Sequence, residues 1–509
     1  MFTEVVKREL TIKERFMFFT VSLFLYIFPL MLKNVLYYDD NNRILHGHAY
    51  WDVDGRPLTD VIMYLLNFNI GNVGNVAPLP LLLSVIFLSA VFTYISEKIN
   101  CRKTIWNQLP LLLFVVNPFY LQNFSYQYDC LGMSMGIGCA LLAYFYKAEK
   151  RIQHIIPPLL IAASFAFYQP CVNVFLALFF ADVLLKFKTE ANYIKNSLIS
   201  VGYYLSGVLI YYIIQFHIIT VSTTRNELIQ PSELLSSIKV SYEKLSEFLY
   251  PLFNSTLVVF FVLFGFTLTL VFLLRLRESL YKKEIMQTFL IIISPFALFL
   301  CLWGPLILLK ELLFNPREFP AFGVILFSGL LSLYTIDKRG FIYKVISILM
   351  LIALFSFSYQ YANALKYQRD YDERIFSWLA YDLGKQDTGD KKIYVYGETP
   401  RTILSQRIIE NNPFISELEK PAFRWVARAI LLGLDIPNVS RDVSFDDEKE
   451  WVLICETQKP YLIKHARYMV YDFDSHISVW LLKENKPLCQ IKPEQFENIF
   501  SKNLTNKTE

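Results

Sequence analysis

The chain has 509 residues, of which 54% are hydrophobic and 16% aromatic, while only 18% are charged. A soluble globular protein carries about 25% charged residues, so this composition is typical of a membrane protein. The net charge of +4 is modest, whereas nucleic-acid-binding proteins concentrate basic residues on one face. The six His and seven Cys residues show no zinc-binding spacing, and we therefore expect neither a metal nor another cofactor.

Apolar stretches recur along the first 361 residues and predict a polytopic α-helical membrane domain. Several have about the 20 residues that span a bilayer, and the others are shorter. The eleven predicted spans are residues 16–36, 79–96, 109–121, 130–146, 155–168, 171–185, 198–219, 255–274, 286–308, 321–334 and 345–361. The apolar stretch 58–68 is short and predicts an interfacial helix within the first long loop.

Lys and Arg residues are concentrated in alternate loops of this prediction. Each loop of one set carries at least three of them: 1–15, 97–104, 147–151, 186–195, 275–283 and 338–344. The positive-inside rule assigns this set, and with it the N-terminus, to the cytoplasm. We therefore expect the remaining loops and the C-terminal tail on the outer face: 37–78, 122–129, 220–254, 309–320 and 362–509.

The tail, residues 362–509, predicts a small α/β domain. Strand-like stretches occupy residues 392–396, 451–455, 466–471 and 477–482, and residues 422–434 have a helical or mixed pattern. The tail contains no phosphate-binding loop and no dinucleotide-binding fingerprint. It does contain two cysteines, Cys455 and Cys489, which could pair if the tail lies in an oxidising compartment.

The first outer loop, residues 37–78, has the most unusual charge pattern of the chain. Asp39 and Asp40 follow the first predicted span directly, with Arg43 and Arg56 further along the loop. Adjacent carboxylates near a low-dielectric region raise each other's pKa, which makes such a pair costly unless it has a use. We therefore interpret this loop as the active centre, held in place by the membrane helices.

Three outer stretches resemble the bacterial serotype-converting O-antigen glucosyltransferase family. They are YYDDNNRILHGHAYWDVDGRPL from residue 37, NPFYLQNFSYQYDCLGM from residue 117 and YQPCVN from residue 168. The resemblance covers the membrane part best and the tail poorly. It implies a GT-C-like fold and a metal-independent transfer of glucose from undecaprenyl-phosphate-glucose. The implied acceptor is the O-antigen repeat of lipopolysaccharide, on the periplasmic side of the bacterial inner membrane.

A transfer of this kind needs a base that takes the proton of the acceptor hydroxyl. Asp40 is the first candidate and Asp39 the second, because each would raise the pKa of the other. Asp39 could instead cap an outer helix, since Asp is a common N-cap residue. Asp129, near Tyr126 at the junction of the third and fourth spans, could bind sugar hydroxyls, orient Arg43, or cap the helix that starts at residue 130.

The leaving phosphate needs cationic partners, and the planar fork of Arg suits phosphate well. Arg43, Arg56, Lys310 and Arg317 all lie at the outer ends of predicted spans. Their alternative role is to anchor the chain at the membrane interface. His46 could bind the sugar or the phosphate, although a solvated position in the loop is the expected alternative.

Other functions are compatible with many membrane helices. The protein could glycosylate another surface polymer, act as a transporter or flippase of lipid-linked sugar, or be a membrane scaffold. Transporters place charges within their spans and often contain inverted repeats. Here the charges gather in the outer loops and we find no internal repeat. A scaffold would not need the acidic pair, so the sequence favours a glycosyltransferase.

Overall fold

The computed structural model describes residues 8–99, 101–188, 193–218, 229–230, 234–304, 314–337, 340–386, 389–440, 447–484 and 488–490. These residues are mostly helical, with one four-stranded sheet close to the C-terminal end. The chain divides into two compact units. The first unit contains Met1–Asn34, Gly47–Gln360 and Asn412–Leu418, and the second contains Val35–His46, Tyr361–Asn411 and Glu419–Glu509.

The α-helices of the described residues are numbered in chain order. They are α1 (Ile12–Lys33), α2 (Asp39–His46), α3 (Pro57–Asn67), α4 (Leu79–Lys98), α5 (Ile105–Leu112), α6 (Pro118–Ser125), α7 (Cys130–Phe145), α8 (Ile156–Phe167), α9 (Asn173–Leu185), α10 (Tyr193–Ile218), α11 (Leu234–Phe253), α12 (Val258–Tyr281), α13 (Ile285–Leu300), α14 (Phe322–Ile336), α15 (Phe341–Gly384), α16 (Ile403–Asn411), α17 (Ile415–Leu418), α18 (Arg424–Gly433) and α19 (Asp447–Glu456).

Five helices in the described ranges are long and apolar enough to cross a membrane, namely α1, α4, α10, α12 and α15. Five shorter apolar helices accompany them: Cys130–Phe145, Arg151–Phe167, Gln169–Leu185, Ile285–Leu300 and Phe322–Ile336. Together they correspond to ten of the eleven predicted apolar stretches. These helices indicate a multi-pass membrane protein.

The prediction of one continuous helix at residues 109–121 is wrong. Helix α5 ends at Leu112, and α6 begins anew at Pro118. The Asn117 side chain caps α6, because its Oδ1 accepts the backbone N–H groups of Phe119 at 3.1 Å and Tyr120 at 2.9 Å. Proline at the first helical position has no N–H to leave unsatisfied. The Asn-Pro pair therefore starts a second helix inside an apolar stretch whose sequence predicts one continuous helix.

Helix α3 confirms the helix predicted at residues 58–68, and it packs against α7. A Cβ atom at Gly132 of α7 would lie 2.6 Å from the Thr59 Oγ1 atom, so only glycine allows this approach. The Thr59 hydroxyl donates to the Phe167 carbonyl at 2.9 Å, at the end of α8. The small residues of α7 thus bring the start of α3 close to the α8–α9 junction.

In the second unit, the sheet has four strands in the order β1-β4-β3-β2, with β1 (Lys392–Gly397), β2 (Ile463–Lys464), β3 (Tyr468–Asp472) and β4 (His476–Leu481). Strand β1 pairs parallel to β4, and the other pairs are antiparallel. Helix α18 and the last turns of α15 cover one face of the sheet, and α19 covers the other. The predicted strands corresponding to β1, β3 and β4 are confirmed, as is the helical stretch at α18.

The strand predicted at residues 451–455 is wrong, since these residues lie in α19. Trp451, Ile454 and Cys455 follow one another at helical spacing and pack together against Trp480 of the sheet. A short apolar run has the same appearance in a strand and in one face of a helix. Cys455 also forms a disulfide with Cys489, which is the pairing that the sequence left open.

Candidate active site

A tight turn before α3 presents Arg56. The backbone N–H groups of Asp54 and Arg56 both donate to the Trp51 carbonyl, at 3.1 and 2.8 Å. The Asp60 carboxylate, in the first turn of α3, accepts the N–H of Trp51 at 3.2 Å. An acidic side chain at a helix N-terminus is electrostatically favourable. Asp60 thus stabilises the start of α3 and fixes the turn that carries Arg56.

Gly55 allows two polar side chains to close on this turn. It has a φ angle of +78°, and its carbonyl accepts the Tyr211 hydroxyl at 2.8 Å. The Gln169 amide donates to the Asp54 carbonyl at 2.6 Å. A Cβ atom at Gly55 would lie 2.7 Å from both the Gln169 Nε2 and the Tyr211 hydroxyl. The turn therefore needs glycine for its backbone conformation and for the space it leaves.

The Arg56 guanidinium is held on three sides. Its Cζ lies 4.6 Å from the centroid of the Tyr168 ring, a cation–π contact. Its Nε donates to Gln169 Oε1 at 3.2 Å. Its Nη1 lies 3.9 Å from Asp129 Oδ1. These three groups thus orient the guanidinium, and the ion pair with Asp129 is a long one.

Asp129 is buried and accepts the indole N–H of Trp51 at 2.7 Å. It occupies the N-cap position of α7, but its side chain makes no capping hydrogen bond to that helix. The carboxylate instead accepts the hydrogen bond from Trp51 and forms the ion pair with Arg56. Of the roles that the sequence suggested for Asp129, the structure therefore does not support side-chain capping.

Arg317 lies in the short 3₁₀ turn Pro316–Glu318. Its Cζ is 4.6 Å from the centroid of the Tyr126 ring. Its backbone N–H donates to Gln122 Oε1 at 2.8 Å. Its carbonyl accepts the Tyr168 hydroxyl at 3.3 Å. Tyr168 thus contacts Arg56 with its ring and the Arg317 backbone with its hydroxyl. We call Arg56, Tyr126, Asp129, Tyr168 and Arg317 the arginine site.

Glu318 follows Arg317 directly and is only partly exposed. Its Oε1 accepts the Asn315 side-chain amide at 3.2 Å. Loss of hydration raises the pKa of Glu318 to about 7, although Arg317, the Asn315 hydrogen bond and Arg56 all act to lower it. This carboxyl therefore titrates near neutral pH. In the sequence, Glu318 belongs to no recognisable motif, and only its position beside Arg317 indicates a role for it.

The acidic pair belongs to the second unit, at the start of α2. Asp40 is fully buried, and its Oδ2 accepts the Tyr37 backbone N–H at 3.0 Å. Asp39 is the first residue of α2. Both carboxylates therefore occupy the helix end where the backbone dipole favours negative charge.

The other predicted site residues divide between the two units. Arg43 and His46 lie in the last turn of α2, in the second unit. Arg56, Tyr126, Asp129 and Arg317 come together in the first unit. Lys310 lies outside the described residues. Trp51, Gln169 and Tyr168 also shape the arginine site, and all three fall in the stretches that carry the family resemblance.

Comparison with known proteins agrees with that resemblance. The family model described as Glucosyl transferase GtrII matches residues 28–328, which is more than half of the chain. A Salmonella phage P22 protein, described as "Uncharacterized 55.3 kDa protein in gtrB 5'region", is 28% identical over 418 residues. This match covers 78% of the present chain and 86% of the phage protein. No solved structure matches significantly. The chain therefore belongs to the glucosyl transferase GtrII family, a family of glycosyltransferases.

Proposed function

We propose that the protein transfers glucose from undecaprenyl-phosphate-glucose to the O-antigen repeat of lipopolysaccharide, at the periplasmic face of the bacterial inner membrane. Membership of the family implies a glucose donor and an acceptor, and the identity of both is our proposal. The observation that supports it most is the arginine site. Two guanidinium groups there make cation–π contacts with tyrosine rings and are connected through Tyr168.

The chemistry of the donor explains why two preoriented guanidinium groups are useful. When the bond between glucose C1 and the phosphate oxygen breaks, the phosphate gains negative charge. Donors fixed beforehand at the position of developing charge stabilise a transition state strongly. Arg56 and Arg317 can supply this stabilisation without a metal. Lys310, in the same predicted outer loop as Arg317, is a further candidate. We assign Tyr126 and Asp129 to the sugar end of the donor.

Asp40 is the proposed base for the acceptor hydroxyl, with Asp39 as its alternative. Arg43 and His46 lie on the same short helix and are proposed to contact substrate. A single carboxylate base is sufficient for a direct displacement at C1.

The proposed topology has eleven crossings, with α5 and α6 together counted as one, a cytoplasmic N-terminus and a periplasmic domain formed by residues 362–509. The alternation of basic loops supports this orientation. The disulfide between Cys455 and Cys489 agrees with it as well, because structural disulfides persist mainly in oxidising compartments. Residues 1–361 would be the transferase domain.

Analysis of the surface glycan tests the proposal. The protein would be produced in a host that makes O-antigen and lipid-linked glucose, and the O-antigen repeat would be weighed by mass spectrometry. We expect the wild type to add one hexose, and Arg56→Ala and Asp40→Asn to abolish the addition at matched membrane levels. Asp435→Asn is the control, since Asp435 is exposed and has a positive φ angle that Asn also tolerates.

Each result has a separate meaning. Loss with Asp39→Asn alone would exchange the roles of the two acids. Full activity of both acidic-pair variants would place the base elsewhere. A wild type that changes no glycan in this host would contradict the proposed donor and acceptor.

A further inference from the structure

Glu318 adjoins the arginine site and has no role in the chemistry described so far. We propose that Glu318 donates a proton to the lipid phosphate as it leaves, and is therefore a catalytic acid of the glucosyl transfer. This inference rests on the proposed function, because it takes the arginine site to bind the phosphate of the donor.

The position of Glu318 is well defined by its neighbours. The 3₁₀ turn that carries it is held at the backbone of Arg317 by Gln122 and Tyr168, over 2.8 and 3.3 Å. The Asn123 side-chain amide donates to the same Arg317 carbonyl at 3.3 Å. The Asn315 side chain orients the Glu318 carboxyl at 3.2 Å. The carboxyl is thus held in the same turn as Arg317, one of the two arginines that would bind phosphate.

Several charged or titratable groups act on Glu318. Arg317 precedes it in the same turn, and the positive charge of Arg56, in the turn before α3, also favours the ionised form of Glu318. Tyr168, between α8 and α9, lies within electrostatic range of all three. Asp129 adds one negative charge beside Arg56. Despite the two cations, loss of hydration keeps the pKa of Glu318 near 7, so much of it is protonated at neutral pH.

Phosphate binding should favour the protonated form further. An anion in the same site repels a carboxylate and raises its pKa. A neutral carboxyl, in contrast, can donate a hydrogen bond to a phosphate oxygen. The arrangement therefore suits an acid beside the leaving group and does not suit a base there.

The acceptor oxygen forms a bond to C1 of glucose, and its proton goes to the base, Asp40 in our proposal. The bond between C1 and the phosphate oxygen breaks, and its electron pair stays on that oxygen. Glu318 passes its proton to the leaving phosphate, which departs as a monoanion. Solvent then returns a proton to Glu318 and takes one from the base.

The test uses the full-length protein in lipid vesicles with polyprenyl-phosphate-glucose as the probe and a lipid-linked O-antigen repeat as acceptor. The phosphodiester of this donor keeps one charge throughout the neutral range, so any pH dependence of its affinity comes from the protein. Donor affinity and kcat would be measured one pH unit below and above the Glu318 pKa of about 7. The variants are Glu318→Gln, Glu318→Asp and the control Glu149→Gln, whose side chain is exposed.

We expect wild-type donor affinity to weaken with rising pH, by up to about tenfold per unit above the pKa. Glu318→Gln should bind the donor with no such dependence, while its kcat falls by about 10²- to 10⁴-fold. Glu318→Asp keeps an acid in the turn and should retain part of the activity together with the pH dependence. Glu149→Gln should behave as the wild type.

Other results would overturn the inference. A wild-type kcat in Glu318→Gln would remove the acid role. The same pH-dependent donor affinity in the wild type and in Glu318→Gln would show that another group binds the proton. Transfer that rises with pH and disappears in Glu318→Gln would make Glu318 a base. If the wild type binds the donor but transfers nothing, the proposed function fails, whereas the affinity measurements still decide whether Glu318 carries the linked proton.

Discussion

The indole of Trp51 donates a hydrogen bond to the Asp129 carboxylate at 2.7 Å, which joins the segment between α2 and α3 to the start of α7. The accepting oxygen also lies 3.9 Å from the Arg56 guanidinium. Both Trp51 and Asp129 are buried, with 0% and 3% of their surfaces exposed. One carboxylate oxygen thus serves an aromatic donor and a cation, and the position of Arg56 depends on Trp51.

Replacing Trp51 by Phe should lower transfer without unfolding the protein. The ring remains, but the buried Asp129 loses a hydrogen bond to a charged acceptor, worth about 1.5–3 kcal/mol. We expect kcat/KM to fall by about 10- to 100-fold. In a double-mutant cycle with Asp129→Asn, the two changes should be strongly non-additive. Additive effects would mean that the two residues act independently.

Replacing Arg56 by Lys should weaken donor binding and transfer although the charge is kept. Lysine cannot contact Gln169 through an equivalent Nε while presenting a planar fork beside Tyr168. We expect a loss of at least about tenfold in kcat/KM, measured with the lipid-linked donor. Arg277→Lys is the matched control, since Arg277 is exposed at the end of α12. Equal activity of the two variants would contradict a phosphate-binding role for Arg56.

Replacing Gly55 by Ala should disrupt the turn that carries Arg56. The new Cβ would lie 2.7 Å from two side-chain atoms, in a backbone conformation with a φ of +78°. Gly71→Ala provides the control, because Gly71 also has a positive φ, of +101°, but nothing lies within 4 Å of its Cβ position. We expect Gly55→Ala to lose most of the transfer activity and Gly71→Ala to lose little. Similar losses would attribute the effect to backbone conformation alone.

Removing the disulfide should destabilise the second unit. Cys455 and Cys489 are 34 residues apart, and closing a loop of this size stabilises a fold by about 2–4 kcal/mol. The double variant Cys455→Ser, Cys489→Ser should therefore be cleaved faster by protease within residues 362–509. Thiol labelling without reductant should leave both cysteines of the wild type unmodified. Reactive thiols at these positions in intact cells would contradict a periplasmic location.

Much of the helical architecture could be predicted because the length of each apolar stretch indicates the length of the helix that it forms. The break between α5 and α6 escaped prediction because Asn117 and Pro118 restart a helix within a stretch whose hydrophobicity is uninterrupted. Residues 451–455 were misassigned because five apolar or mixed residues are too few to distinguish a period of 2 from a period of 3.6.

The candidate site could be predicted only in part. Charge and the family resemblance predict four of the site residues, namely Arg56, Tyr126, Asp129 and Arg317. The fold brings these four together. Which aromatic ring lies under which guanidinium depends on contacts between residues more than 100 positions apart in the chain. The raised pKa of Glu318 likewise comes from its surroundings, and no local pattern of residues could indicate it.

The tyrosine rings that contact Arg56 and Arg317 restrict the directions from which a ligand can approach the two guanidinium groups. The Cζ of each guanidinium lies 4.6 Å from the centroid of a tyrosine ring, and the N–H groups at the guanidinium edge are its directional donors. An inhibitor that uses this site should therefore carry oxygen atoms in a tetrahedral arrangement and meet the guanidinium edge-on, as a phosphonate does. A flat aromatic group would compete with the tyrosine rings for contact with the guanidinium groups and would lack these acceptor oxygen atoms.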